Sequence, residues 1–353
     1  MSTSDIVTIA ENNQLVDEAS KKAGVTTDMA LGFRDLTGFL EEYLKTFCRQ
    51  VSRLVCAGHI SPDVAAAADR ADLEVVEALG ESPFSGDVRP VRMLIEKPND
   101  IIYLANPNRI TGASFSVRDL QDLAAAVPEG SLIIDEHFFE YFGITGLPLL
   151  KNSGNVVLLR PLASPPRVGL SDAGFAVANK QVAARMKKLI KISSIPSATR
   201  HSLLPGLIDT EASAARVKET HDESLRLALS LTRLGIQCRL SATNFMLFRV
   251  AHPKDVGNSL VSSGVSVENL DGYPMLKNYM RYQVATRNAN DRFVEAFKQM
   301  PERHFKMPGY DFRAAIQRRK PLMARLPRPK QGCETAIYTR KLERYAAYEA
   351  VDK

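Results

Sequence analysis

Three polar side chains follow three short apolar runs, and their spacing suggests a binding site. Asn108, Asp135 and Arg160 come at or shortly after the ends of the runs 101–105, 131–134 and 156–159, which have the composition of buried strands. In parallel sheets, ligands bind beyond the carboxyl ends of the strands, so we expect these side chains at one edge of a sheet. An amide, a carboxylate and a guanidinium can together bind a small charged molecule.

The segments around these runs predict the elements that would position them. Residues 36–53 carry apolar side chains at helical spacing, residues 62–79 predict a helix followed by a strand, and Ser116 precedes a helical pattern as an N-cap. Strands that alternate with helices predict an α/β domain with a mostly parallel sheet. A long amphipathic pattern over 211–235 and strand-like runs at 245–250 and 280–284 predict a smaller C-terminal α+β domain.

Composition narrows the class of protein. The 353 residues are 45% hydrophobic and 24% charged, as in ordinary globular proteins, and a net charge of +6 is mild for this length. This charge favours small anionic partners and does not by itself indicate nucleic acid. The sequence contains no apolar run long enough for a membrane span and no secretion signal, and its four cysteines lack metal-site spacing, so we expect a cytoplasmic protein with reduced thiols and no bound metal.

Five segments give the sequence a family resemblance. They are NPNRITG at 106–112, DEHF at 135–138, the segment 155–178, SATNFMLF at 241–248, and YMRYQVAT at 279–286 with NDRF at 290–293. In this order and at this spacing they resemble the motifs of class I/II aminotransferases, in particular the histidinol-phosphate aminotransferase group. The resemblance implies the fold type I of enzymes that use pyridoxal phosphate (PLP), with a large domain, a smaller C-terminal domain and a dimeric assembly.

The resemblance also implies roles for residues of the site. An aspartate at the position of Asp135 pairs with the ring nitrogen of PLP, and an arginine at the position of Arg281 binds the substrate carboxylate. By the same alignment Asn108 and Arg160 border the cofactor, while Arg109 and Asn244 border the substrate.

Several positions depart from the family pattern. The lysine that bonds covalently to PLP is replaced by Ser164, which cannot form an imine, so no catalytic residue is assigned. Asp172 replaces the arginine that binds the cofactor phosphate, and Arg109 and Phe138 replace donors to its phenolic oxygen. Gly58 is the candidate for the phosphate-binding turn. It stands so close to Asn106 that we expect the usual turn and one strand–helix unit to be missing.

These observations predict a degenerate aminotransferase-like protein that binds an anionic, amino-acid-like metabolite or supports a partner enzyme, as a homodimer or as a heterodimer with a related enzyme. Two alternatives remain open: a working PLP-dependent aminotransferase of amino-acid or histidinol-phosphate type, and a non-catalytic interaction protein. The expected organisation is an N-terminal arm (1–35), a large domain (36–205), a small domain (206–302) and a basic, proline-containing extension (303–353). We do not expect membrane or nucleic-acid binding.

Overall fold

The computed structural model describes residues 14–48, 50–165, 172–190 and 195–309. The chain divides into two compact units, one of residues 1–140 and 144–217 and one of residues 141–143 and 218–353. The boundary at 217/218 falls within a long helix, twelve residues later than the predicted boundary. Residues 310–353, which contain most of the predicted basic extension, lie outside the described part of the chain.

The first unit is an α/β sheet structure, as the alternation of strands and helices predicted. Its elements are α1 (14–23), β1 (Ala30–Phe33), α2 (Leu36–Phe47), β2 (Arg53–Ala57), α3 (Pro62–Arg70), β3 (Glu74–Ala78), α4 (Arg89–Leu94), β4 (Ile101–Ala105), α5 (Val117–Ala126), β5 (Ser131–Asp135), α6 (Phe139–Phe142), β6 (Val156–Pro161), β7 (Gly174–Val177), α7 (Lys180–Leu189) and α8 (Ser197–Ile208). The strand order is β1-β7-β6-β5-β4-β2-β3. β7 pairs antiparallel with both of its neighbours, and the other pairs are parallel.

The central strands β4, β5 and β6 are buried on both faces of this sheet, and they are apolar at successive positions. On β4, Ile102 and Leu104 belong to one apolar cluster, whereas Ile101 and Tyr103 belong to the cluster on the other face. Since side chains alternate between faces along a strand, a continuous apolar run is what a sheet covered on both sides requires. Ser116 is the N-cap of α5, as predicted, and its side chain accepts a hydrogen bond from the Asp119 N–H as part of a capping box.

The N-terminal residues that the structure describes pack into the first unit. Residues 14–35 do not form a separate arm: Leu15 and Ala19 of α1 belong to the core, and β1 is an edge strand of the sheet. The strand–helix unit β1–α2 therefore precedes the turn at Gly58, which follows β2. The prediction of a missing strand–helix unit rested on the short interval between Gly58 and Asn106, and the structure places α3, β3, α4 and β4 in that interval.

The second unit is a smaller α+β structure. Helix α9 (Thr210–Arg233) enters it and is followed by β8 (Gln237–Leu240), β9 (Phe245–Arg249), α10 (Pro253–Ser262), β10 (Glu268–Asn269), β11 (Tyr279–Gln283), α11 (Arg287–Gln299) and α12 (Glu302–Phe305). The four strands form an antiparallel sheet in the order β10-β11-β9-β8. Gly235, with φ of +83°, ends α9 in the left-handed conformation that glycine favours. Within the described residues, no helix is long and apolar enough to cross a membrane.

Candidate functional site

Asp135 is the centre of the polar cluster at the carboxyl edge of the large sheet. It ends β5, and its residue is 1% exposed. Its Oδ2 atom accepts hydrogen bonds from Tyr103 Oη at 2.6 Å and from Arg109 Nε at 2.5 Å, and its Oδ1 atom accepts one from the His137 N–H at 3.0 Å. Each carboxylate oxygen therefore already has a donor from the chain itself.

Charge and burial set the protonation states in this cluster. Burial alone would raise the pKa of Asp135, but the Arg109 guanidinium and the hydrogen bond from Tyr103 hold it below its ordinary value. Burial opposes the charge on Arg109, yet Asp135 raises the pKa of Arg109 overall. Burial and the nearby Arg109 lower the pKa of His137 to about 3, so this imidazole is neutral. The cluster thus holds one buried ion pair beside one neutral histidine.

The space next to Asp135 is small. The cavity has a volume of about 10 Å³ and is lined, among others, by Arg109, Asp135, His137 and Arg160. A volume of this size is close to the least that holds a single water molecule. Arg109 therefore covers the carboxylate oxygen of Asp135 that would otherwise face this cavity.

Asn108 and Arg160 reach the same edge of the sheet, as predicted, but both are engaged by the chain. Asn108 Nδ2 donates to the His59 carbonyl at 2.7 Å, and Asn108 Oδ1 accepts from the N–H groups of Ile110 and Thr111, each at 3.0 Å. These bonds fix the loop after β4 and tie it to the turn after β2. The side-chain amide of Asn108 therefore joins these two loops through hydrogen bonds.

Arg160 forms the second buried ion pair of this edge. Its Nε donates to Glu136 Oε2 at 2.7 Å, and its Nη2 donates to Thr145 Oγ1 at 2.9 Å. The guanidinium lies 3.7 Å from the centre of the Phe139 ring, and the side chains of Arg160 and Glu136 are 5% and 1% exposed. Glu136, Thr145 and Phe139 were not singled out from the sequence as partners of this arginine.

Ser164 has a partner that the sequence analysis missed. The Lys22 Nζ atom of α1 lies 3.0 Å from Ser164 Oγ and 2.9 Å from Glu140 Oε1, and the Lys22 side chain is 15% exposed. The two residues are 142 positions apart, so no local motif joins them. A signal was present nonetheless: Leu15, Ala19 and Lys22 follow the spacing of one helix face, which places a lysine beside core residues.

Arg281 and Asn244 belong to the second compact unit and form a separate group of contacts. Arg281 on β11 is paired in register with Glu268 on β10, and their side chains form an ion pair. The Arg281 guanidinium lies 5.1 Å from the centre of the Phe245 ring, and its side chain is 26% exposed. The backbone carbonyl of the buried Asn244 accepts a hydrogen bond from the Val284 N–H at 2.8 Å. Arg281 thus keeps some access to solvent.

Metal ligands do not cluster in the described ranges: no group of three or more His, Cys, Asp or Glu side chains there could hold an ion. The cysteines at 48, 56 and 238 are free thiols, and Cys333 lies outside the described residues.

The family profile of aminotransferase class I and II matches residues 58–297, which is most of the chain. This chain belongs to the class I and II aminotransferase family. It is 30% identical over 207 residues to the histidinol-phosphate aminotransferase of Chlorobaculum tepidum, covering 57% of this chain and 58% of that protein. It is 29% identical over 227 residues to histidinol-phosphate aminotransferase 1 of Carboxydothermus hydrogenoformans, covering 63% of each. The matches thus span about three-fifths of these relatives.

Solved aminotransferase structures share the fold. The histidinol-phosphate aminotransferase of Sinorhizobium meliloti, in complex with pyridoxal-5′-phosphate, superimposes with a TM-score of 0.71 at 16% identity, covering 82% of this chain and 83% of that one. The enzyme from Clostridium acetobutylicum gives a TM-score of 0.70 at 17% identity, covering 82% and 88%. The fold is therefore that of PLP-dependent aminotransferases, as predicted.

The residues at the aminotransferase site of this chain do not fit PLP in the manner that the resemblance implies. The Asp135 carboxylate is occupied by Arg109 and Tyr103, and the cavity beside it has a volume of about 10 Å³. Ser164 offers a hydroxyl where the family has an amine, and Phe138 has no hydroxyl to donate. Family membership implies PLP, whereas in this chain Arg109 occupies the carboxylate that would bind the ring nitrogen and Ser164 replaces the lysine.

Proposed function

We propose that this aminotransferase-family chain does not transaminate through a covalent bond between PLP and a lysine. The observation that carries the proposal is the closed Asp135 site, in which Arg109 Nε lies 2.5 Å from the carboxylate that a ring nitrogen would need. A ring nitrogen could pair with this carboxylate only after the Arg109 guanidinium had left it, and the loop that carries Arg109 is held by hydrogen bonds to Asn108. Ser164 supports the same conclusion, because its hydroxyl cannot form an imine.

The same proposal assigns the chain a ligand of a defined chemical class, an anionic amino-acid-like metabolite. Arg281 supports this assignment because its guanidinium is partly exposed and its partner Glu268 is 41% exposed, so a carboxylate ligand can compete for it. We propose that the chain does so as a homodimer or together with a related enzyme, which it would support without performing the chemistry itself.

One observation favours the alternative of a working aminotransferase. The Lys22 amine lies 3.0 Å from Ser164 Oγ. Lys22 therefore brings an amine close to the position where the family has its lysine and this chain has Ser164. Glu140 Oε1 lies 2.9 Å from the same amine, so the Lys22 side chain is already engaged in an ion pair, which disfavours its action as a nucleophile.

Borohydride reduction separates the two candidates. The wild-type protein is incubated with PLP, reduced, and analysed by intact mass and peptide mapping, while turnover is assayed with a panel of amino donors that includes histidinol phosphate. We expect no adduct at Lys22 and no turnover. Lys22→Arg keeps the charge but cannot form an imine, and Lys21→Arg changes an exposed neighbour, 70% exposed, as the control. An adduct at Lys22 that survives in Lys21→Arg and disappears in Lys22→Arg would establish the working enzyme instead.

Thermal stabilisation tests the ligand assignment. A ligand at 100 times its dissociation constant stabilises the folded state by about 2.7 kcal/mol. With glutamate and histidinol phosphate as probes, we expect stabilisation of the wild type, its loss in Arg281→Ala, and its retention in Arg287→Ala, which removes a more exposed arginine of the same unit. If neither probe raises the melting temperature of the wild type, the metabolite assignment is wrong.

A further inference from the structure

The Asp135 site has the properties of a receptor for a flat cation, and the chain fills it with its own side chain. Asp135 is ionised and buried, and its Oδ2 atom faces both the Tyr103 hydroxyl and Arg109 Nε. A buried carboxylate needs a positive partner with a hydrogen to donate, because desolvation otherwise costs several kcal/mol. A guanidinium N–H meets that need in the plane of the carboxylate.

Arg109 is held in this position by the loop that carries it. The neighbouring residue Asn108 accepts hydrogen bonds from the N–H groups of Ile110 and Thr111, so the backbone on both sides of Arg109 is fixed. The Arg109 side chain is 15% exposed, which means that it lies largely within the protein rather than extending into solvent. The ion pair is therefore pre-organised by the loop after β4.

We propose that Arg109 is a built-in ligand of the Asp135 site and that the site, once emptied of it, binds small planar cations that donate an N–H, such as guanidinium, imidazolium and pyridinium. In the family such a donor is the ring nitrogen of the cofactor. In this chain the Arg109 guanidinium donates an N–H to Asp135 and carries the positive charge, so the protein itself supplies both. The inference rests on the proposed function, because an Arg109 that stays on Asp135 is incompatible with a cofactor ring there.

The test is chemical rescue of stability in Arg109→Ala. This variant leaves a buried carboxylate without its guanidinium, and we expect its melting temperature to fall by several degrees. Guanidinium or imidazolium chloride at low millimolar concentration should restore at least half of the loss, whereas equal concentrations of ammonium or sodium chloride should not. In Arg109→Ala with Asp135→Asn the rescue should disappear, because the charge that attracts the cation is gone.

A matched control comes from the opposite edge of the same sheet. Arg53 pairs with Asp100 at 3.2 Å, with side chains 17% and 4% exposed, but the Asp100 carboxylate also accepts the N–H groups of Glu96 and Lys97. Arg53→Ala should therefore show no preference for planar cations. If Arg109→Ala does not fold, Arg109→Gln serves in its place, because it removes the charge while keeping much of the side-chain volume, and the same rescue is expected.

Three results would overturn the inference: no rescue by any planar cation, equal rescue by ammonium, or rescue that persists with Asp135→Asn. These outcomes are independent of the borohydride experiment. An adduct at Lys22 would refute the proposed function even if rescue were observed, and a failed rescue would leave the absence of turnover untouched.

Discussion

The pH dependence of stability gives a quantitative test of whether His137 is buried beside Arg109. The imidazole has a pKa of about 3 in the folded protein, because of burial and the charge of Arg109, with Asp135 acting in the opposite direction. In the unfolded chain a histidine titrates near ~6.5. Between these values the unfolded state binds one more proton than the folded state, so stability falls as the pH is lowered through this window.

The magnitude follows from the size of the window. Each unit of pH inside it changes the free energy of unfolding by about 1.4 kcal/mol, so acidification from about pH 7.5 to about pH 5 should remove about 2 kcal/mol through His137 alone. The lowered pKa of Asp135 contributes only below ~4, where an unfolded aspartate begins to take up its proton, so it does not contribute in this range.

Urea denaturation at the two pH values measures this contribution. His137→Gln removes the titrating group, and we expect this variant to lose about 2 kcal/mol less than the wild type on acidification. His201→Gln, at an exposed position, is the control and should lose as much as the wild type. An unchanged pH dependence in His137→Gln, or an NMR titration of His137 near pH 6.5, would refute the view that this imidazole is buried beside a guanidinium.

Two further predictions concern the framework around the site. Gly174→Ala would bring a Cβ atom to 2.6 Å from the Arg160 carbonyl and 2.4 Å from Phe33, so we expect a loss of about 1–3 kcal/mol by urea denaturation. Gly272→Ala meets no atom within 4 Å and should leave stability nearly unchanged. Asn290, buried at the start of α11, makes four hydrogen bonds through its amide, and Asn290→Ala should cost about 2–4 kcal/mol. A loss no larger than that of the exposed Asn258→Ala would contradict the structural role of this amide.

The sequence predicted the parts of the fold that rest on local patterns. The buried strands β4, β5 and β6 are visible because each is a continuous apolar run, and the carboxyl-edge location of Asn108, Asp135 and Arg160 follows from them. Strand β1 escaped prediction because it has four residues, one of them glycine, and becomes a strand only by pairing with β7.

The contacts of the site were less predictable than its location. The sequence marked Arg109 and Asp135 as separate positions, but it did not reveal that the guanidinium would bond to this particular carboxylate. The partnership of Lys22 and Ser164 depends on how α1 packs against the sheet, which no motif encodes. Family resemblance identifies positions, whereas the pairing of their side chains is decided by three-dimensional distance.

The pairing of β1 with β7 has a consequence for how this chain folds. Ala30 is in register with Val177, about 150 residues further along the chain. During synthesis β1 has no partner until β7 has left the ribosome, and closing so long a loop is slow because its entropy must be lost before the contact forms. From its emergence until this loop closes, β7 presents an apolar open edge, the kind of surface on which nascent chains aggregate. Strand β1 is synthesised long before β7, yet it can cover the edge of the sheet only after β7 has formed.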